Sequence, residues 1–415
     1  MKKTLAAVAV LGAFAGSALA ADVQLYGIVD TGVGYNHVDV DSLDGINIPN
    51  KDNTANAYSF ADSDSFSMMS GQASGSRWGL KGTEDLGNGL TVGFILEDGF
   101  TSDNGADSAP MFNRESSLFV QGGFGKFAMG RMGSLNNGQS SWAKVGMVSA
   151  FGTSDWGGYS AQLGNIFSLA GQWDNMVAYE TPSFAGFKVY AQYAMGSNDN
   201  ENESSSDRYY AIGATYNNGP FASYFAVDSV NYQTSGAKID DKYIDDSLTV
   251  TLGGSWNFEV AKVYFGAQYF DEVKLSSIGG ITKTTVGNVN LSEIGGIGDR
   301  PDITVGALVK VKGYGISLTA DAPVAGGKAM FGVGYVDAEA ADSIQDALKD
   351  ANRDADLDLK RYVVSVGYDY PFSKRTDVYA IASYMQDQVD TKLSGTSYDW
   401  DPSAYTFYVG LRHRF

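Results

Sequence analysis

From Phe187 to Met195 every second residue is apolar, with Lys188, Tyr190, Gln192 and Ala194 taking the places between Phe187, Val189, Ala191, Tyr193 and Met195. In an extended chain successive side chains point to opposite sides, so such a segment is a strand with one oily face and one wet face. The alternation returns in Ala261, Val263, Phe265, Ala267 and Tyr269 against Lys262, Tyr264, Gly266 and Gln268. It returns again in Ile303, Val305, Ala307, Val309 and Val311 against Thr304, Gly306, Lys310 and Lys312. Tyr362, Val364, Val366 and Tyr368 stand against Arg361, Ser365, Gly367 and Asp369. The chain ends the same way, with Phe407, Val409, Leu411, His413 and Phe415 in one row and Tyr408, Gly410, Arg412 and Arg414 in the other. Fifty-one glycines disfavour helix throughout.

The connections keep a rhythm of their own. Short turns stand at 86–89, 122–125, 182–186, 217–220, near 258–260, at 325–327 and at 371–375, most of them built on Gly, Asn or Pro for the usual backbone reasons. Between them lie longer stretches rich in Asp, Asn, Ser and Gly, near 38–66, 101–111, 134–170, 197–206, 234–246, 272–301, 338–357 and 389–402. Seven short and eight long connections join sixteen strands, with both chain ends on the short-turn side. Segments of about ten alternating residues in this rhythm are the pattern of a transmembrane β-barrel. A soluble β-sandwich also alternates. Chain length, the strict short-long order and aromatics near strand ends (Tyr209-Tyr210, Tyr368 to Phe372, Phe407-Tyr408) favour the barrel, since rings there suit a membrane-water girdle. No mature segment reaches 18 consecutive apolar residues, which excludes helical spans.

The first residues predict export. Lys2 and Lys3 precede an apolar run from Leu5 to about Ala15 and a small-residue ending Ala18-Leu19-Ala20, the layout of a secretory signal covering 1–20. The fold is then one unit, 21–415. No cysteine and only two histidines exclude a disulfide framework or thiolate metal site and leave little for a histidine-based zinc site. A formal charge of −19 argues against a nucleic-acid partner.

Five stretches carry a resemblance: "ADVQLYGIVDTGVGY" at 21–35, "GSRWGLKGTEDLGNGLTVGFILEDGF" at 75–100, "FNRESSLFVQGGFGKFAMGR" at 112–131, "YETPSFAGFKVYAQY" at 179–193 and "VGLRHRF" at 409–415. In this order they resemble the general diffusion porins of Gram-negative bacteria, of the β-proteobacterial type. The resemblance implies an all-β, 16-stranded antiparallel barrel in the outer membrane, forming a homotrimer among outer-membrane lipids and lipopolysaccharide. It implies a third extracellular loop folded inward, here about 134–170, and no cofactor. It implies that Phe415 is read by the machinery that inserts such barrels.

Candidate pore residues follow from parity and from that resemblance. Arg77 and Lys81 lie opposite the apolar Trp78 and Leu80, and Asp30 and Glu97 share the inward parity of their strands. Arg114 and Arg131 match porin wall positions, yet parity aligns them with Leu118 and Val120, and with Phe127 and Met129. They line the channel only if they lie beyond the membrane band or a bulge shifts the register. On the 134–170 loop, Asp155 is the expected acidic lining residue, and Lys144 on the same loop is a further pore-lining candidate. Wall cations against acidic loop residues would filter solutes by charge as well as size. The net charge leans toward cations, although the narrowest point is expected to be basic. No nucleophile constellation is assembled, so an enzyme is not expected. An adhesin or structural barrel with binding loops is the alternative. The glycine pairs Gly253-Gly254 and Gly326-Gly327 read as packing or turns, Ala338 to Ala351 as a loop helix, and the acidic runs 39–44 and 350–358 as solvated surface without an EF-hand pattern.

Overall fold

The computed structural model describes residues 22–40, 62–107, 110–196, 207–232, 238–239, 242–243, 245–281, 310–350, 355–393 and 396–415. The predicted signal segment 1–20, most of the acidic run 39–44 and the strand start at 303 lie outside these residues.

Eighteen hydrogen-bonded segments form one antiparallel sheet that closes on itself. Ser63–Ser70 and Arg77–Gly87 both pair with the first strand, one after the other, and Thr396–Trp400 and Ser403–Arg414 do the same with Thr376–Leu393. Each couple is one interrupted strand, which leaves sixteen. They are β1 Asp22–Asp39, β2 (Ser63–Ser70 and Arg77–Gly87), β3 Leu90–Gly99, β4 Glu115–Gly122, β5 Gly125–Gly133, β6 Gln172–Glu180, β7 Phe187–Ala194 and β8 Arg208–Asn218. There follow β9 Phe221–Asn231, β10 Ser247–Asn257, β11 Lys262–Lys274, β12 Lys310–Val324, β13 Gly327–Ala340, β14 Ala355–Pro371, β15 Thr376–Leu393 and β16 (Thr396–Trp400 and Ser403–Arg414). No described helix is long and apolar enough to cross a membrane.

The faces are inverted relative to a soluble protein. Leu252, Phe265, Ile316, Val366, Phe407 and Val409 are exposed, while Gln192, Thr251, Gln268, Ser317, Ser365 and Thr406 on the alternate rows are buried. Lipid contact explains this: a barrel satisfies its backbone by closing and leaves only apolar side chains outside. Leu252, in the middle of β10, is 54% exposed. Leu252→Arg should therefore lower folding stability by about 2–4 kcal/mol, read from urea titration of folding into phospholipid vesicles. An unchanged midpoint would show that this row does not meet lipid.

Rings line both rims. Phe187, Tyr216, Phe221, Trp256 and Phe258 follow one another beside the short turns with centroids 4.3 to 6.3 Å apart. Tyr314, Tyr335 and Tyr362 do so near the other end. Of the predicted aromatic pairs only one member each faces out: Tyr209 and Tyr408 are buried, Tyr210 and Phe407 exposed. Adjacent strand residues must part in this way.

Two further expectations are corrected. Val311 does not belong to the outward row of β12, which is Tyr314, Ile316 and Leu318; it is buried on the side of Ser317 and Thr319, because a one-residue offset exchanges the faces of a strand. The loop helix, α1, runs over Asp342–Asp350, and Ala338 and Ala340 still belong to β13. Glu272 holds its first turn, accepting from the Ser343 N–H at 3.0 Å and the Ser343 hydroxyl at 2.6 Å, which satisfies donors that a helix start leaves open.

Short turns behave as their residues dictate. Asn88 and Gly89 connect β2 to β3 with φ of 52° and 75°, the left-handed pair that a two-residue hairpin requires. The barrel closes between β1 and β16, in register from Ile28↔Arg414 to Asp39↔Ser403. Phe415 completes the seam: its backbone exchanges two 3.1 Å hydrogen bonds with Gly27, and its ring lies where a Gly27 Cβ would be.

Candidate functional site in the barrel interior

Three wall cations face one cavity. Arg77 opens the second segment of β2, with Lys81 four residues along on the same face. Arg114 precedes β4 and stands outside its ladder, so strand parity does not govern it. Its backbone N–H donates to the Glu97 carbonyl at 3.3 Å, and its side chain turns inward. There the Glu97 carboxylate accepts from Arg114 Nε at 2.7 Å and from the Tyr26 hydroxyl at 3.0 Å, with Arg77 Nε 3.5 Å away. Arg114 Nη1 also reaches Gln139 Oε1 at 2.8 Å, and Lys81 Nζ lies 5.1 Å from the Tyr26 ring centre. These groups, with Glu115 beside Arg114 and with Ser140, Ser141, Thr153, Ser154 and Asp155 from the segment between β5 and β6, line a cavity of about 480 Å³.

Three other predicted residues sit elsewhere. Asp30 is buried, accepting from the Ala73 and Ser74 N–H groups at 3.1 and 2.8 Å and from the Tyr379 hydroxyl at 2.5 Å. It braces the irregular residues 71–76 that interrupt β2, on which Arg412 also acts through Ser74 Oγ at 2.8 Å. Arg131 keeps the parity of Phe127 and Met129. The register shift beside it places the extra residue in β6, at Asn175 with φ 53°, so β5 is not turned. Its partners are the Asn113 carbonyl at 2.8 Å and Asp174 at 2.6 Å. Lys144 donates to the Ser141 carbonyl at 2.9 Å and lies 5.4 Å from the Tyr190 ring centre, its pKa lowered by burial.

The segment between β5 and β6 makes its hydrogen bonds with the wet rows of the strands. Leu135 N–H donates to Gln192 Oε1 at 2.9 Å, and Asn136 bonds Asp228 and the Tyr224 hydroxyl. Ala150 N–H donates to Thr319 Oγ1 at 2.8 Å, and Ala161 N–H to Ser365 Oγ at 2.7 Å. Ser168 N–H donates to Gln268 Oε1 at 2.7 Å. At its far point Trp156 and Gly157 N–H donate to the backbone and side-chain oxygens of Gln72, at 2.9 and 2.7 Å. Its apolar residues Val145, Val148, Phe151, Ile166 and Phe167 are buried.

Wall glycines make that seat. A Cβ on Gly253 would come 2.8 Å from Val148, one on Gly332 2.7 Å from Phe151, and one on Gly315 would collide with the Ile166 carbonyl. Sequence reasoning gave Gly253 as a packing or turn residue but missed the trough it forms with Gly315 and Gly332, all on the inward parity of β10, β12 and β13. It also missed Glu115, next to Arg114, which accepts from Ser141 N–H at 2.8 Å and from the Ser140 hydroxyl at 3.0 Å. Arg361 and Asp387, wholly buried and paired at 2.7 Å, were likewise not singled out as a pair.

Known proteins agree with this architecture. A family model for Gram-negative porins matches residues 6–390. An outer membrane porin protein of Bordetella pertussis is 32% identical over 440 residues, covering all of both chains. Outer membrane porin protein 32 of Delftia acidovorans is 29% identical over 428 residues, again covering both in full. Among solved structures, the anion-selective porin from Comamonas acidovorans superposes with a TM-score of 0.61 at 23% identity, over 95% of this chain and all of the other. The trimer form of OmpT from Vibrio cholerae does so with a TM-score of 0.54 at 16% identity, over 96% of this chain and all of the other. A closed sixteen-stranded sheet with a greasy exterior and a charged cavity within is thus matched by family along nearly the whole sequence, and the chain belongs to the Gram-negative porins.

Proposed function

We propose that this porin passes ions and small hydrophilic solutes by diffusion through a constriction bounded by Arg77, Lys81 and Arg114 on the wall and by residues 138–155 opposite. The observation that carries the reading is the shared cavity: three cations on β2 and before β4 face Asp155 and the hydroxyls of the 134–170 segment across about 480 Å³. A segment bonded to the wet rows on strands from β7 to β16 occupies cross-section that water would otherwise fill, which supports size selection there. Charged groups at close quarters then bias which ions enter.

Charge at this point should outweigh net charge. The −19 total enriches cations near the acidic loops, but a permeating ion meets Arg77 and Arg114 within a few ångströms. Arg77→Ala removes one cation and leaves Glu97 with one fewer positive neighbour. The reversal potential in a salt gradient should move toward cation permeability, whatever its starting sign. A reversal potential and conductance equal to those of the wild type would overturn the constriction.

The finer partners belong to the same proposal. Assembly as a trimer is supported by the apolar outer surface around Val33, Phe66, Ala380 and Phe407 and by the trimer form of the Vibrio cholerae relative. Removal of residues 1–20 on export is supported by their sequence, and reading of Phe415 by the insertion machinery by its place at the seam. Lipopolysaccharide around the outer rim completes the expected surroundings.

A further inference from the structure

The returning arm of the 134–170 segment is gripped from a second side. Beyond β11 the chain makes a short turn, Leu275–Ser277, and comes down onto residues 164–168. Gly279 N–H donates to the Gly164 carbonyl at 2.7 Å, and the Ser277 and Ser168 hydroxyls meet at 2.6 Å. Ile278 and Ile281 are fully buried there. One side chain of the wall joins both loops. Arg361 on β14 is wholly buried; its Nε and Nη2 hold the two oxygens of Asp387 at 2.7 and 2.9 Å. Its Nη1 donates to the Asn165 carbonyl of one loop at 3.0 Å and to the Gly279 carbonyl of the other.

We propose that residues 275–281 are a latch that holds the constriction segment in place, with Arg361 as its positioning residue. The inference rests on the constriction reading above. A planar guanidinium with donors at fixed angles satisfies a carboxylate on one edge and two carbonyls on another, which a flexible ammonium cannot reproduce. The Asp387 pair fixes the fork on the wall, and the fork then fixes both loops relative to β14. The long segment is anchored in sequence only at β5 and β6, and no disulfide is possible in a chain without cysteine. Its position in the bore therefore depends on contacts of this kind, and a loop that loses them samples additional positions. Because the loop bounds the cavity, each position is a different conductance. The latch keeps the channel at one level.

Single-channel recording in planar bilayers tests this, using wild type, Arg361→Ala, Gly279→Pro, and the pair Ser168→Cys with Ser277→Cys, alone and combined with Arg361→Ala. Gly279→Pro removes the N–H given to Gly164 without touching the wall. Expected is flicker between the wild-type level and a second level in Arg361→Ala and Gly279→Pro, with open-channel noise rising at least about two-fold. Oxidising the cysteine pair in the Arg361→Ala background should restore a single quiet level, and a reductant should abolish it. Quiet wild-type traces from both single variants, folded as judged by heat-shifted gel mobility, would overturn the latch. So would noise that the oxidised pair leaves unchanged. If Arg361→Ala does not fold, Gly279→Pro decides. Asp155→Lys runs in parallel. If it moves the reversal potential while the latch variants stay silent, only the latch falls; if nothing moves either quantity, the constriction falls with it.

Discussion

Gly315→Val should cut the single-channel conductance to roughly half and destabilise the barrel by about 1–3 kcal/mol. Both effects follow from one position. The Cβ of any residue at 315 would occupy the space of the Ile166 carbonyl, and neighbouring Gly334 already packs against the Ile166 side chain. The wall strand is fixed by hydrogen bonds to β11 and β13, so the loop must yield. It yields away from β12, toward the cavity bounded by Arg77 and Arg114. Gly123→Val is the control, since a Cβ there meets nothing within 4 Å. Equal conductance in the two variants would mean that the loop does not rest on the glycine trough.

Asp387→Ala should have the largest effect on stability, a loss of about 3–5 kcal/mol, because it leaves the Arg361 guanidinium buried without its counter-charge. The pair itself is a different matter. Desolvating two ions nearly cancels their attraction, so Arg361→Met combined with Asp387→Leu should recover most of the lost stability. The double variant still lacks the donor to Asn165 and Gly279, so it should be stable and noisy. Folding midpoints in vesicles measure the first property and bilayer traces the second. A double variant as unstable as Asp387→Ala would mean that the ion pair contributes net stability in its own right.

The strands were legible because lipid imposes a strict rule on them. A row such as Phe407, Val409 and Leu411 has to be apolar at every second place, and that regularity survives in a single sequence. The interior obeys no such rule. Arg77 and Lys81 lie within a ladder, so parity assigns their side, and both line the cavity. Arg114 violated parity because it lies one residue outside one, and only the bend before β4 brings it into the cavity. Asp30 has the correct parity, yet its carboxylate is consumed by the backbone of residues 71–76, an irregularity that local sequence does not announce. The seat of the 134–170 segment was written in Gly253, Gly315 and Gly332, but a glycine reports only that space is needed. It does not name the occupant.

The seam between β1 and β16 has a consequence for how the polypeptide matures. The partner of the earliest strand is the final one, tied down by Gly27 and Phe415 from opposite ends of the chain. Until β16 has paired with it, β1 has an unpaired edge, and a partly made sheet presents two open borders ready to join other chains. Contacts so remote along the polypeptide are slow to form, so closure of the ring comes late in folding and an open sheet precedes it. Loss of β16 therefore removes the possibility of a ring, not merely a fraction of it.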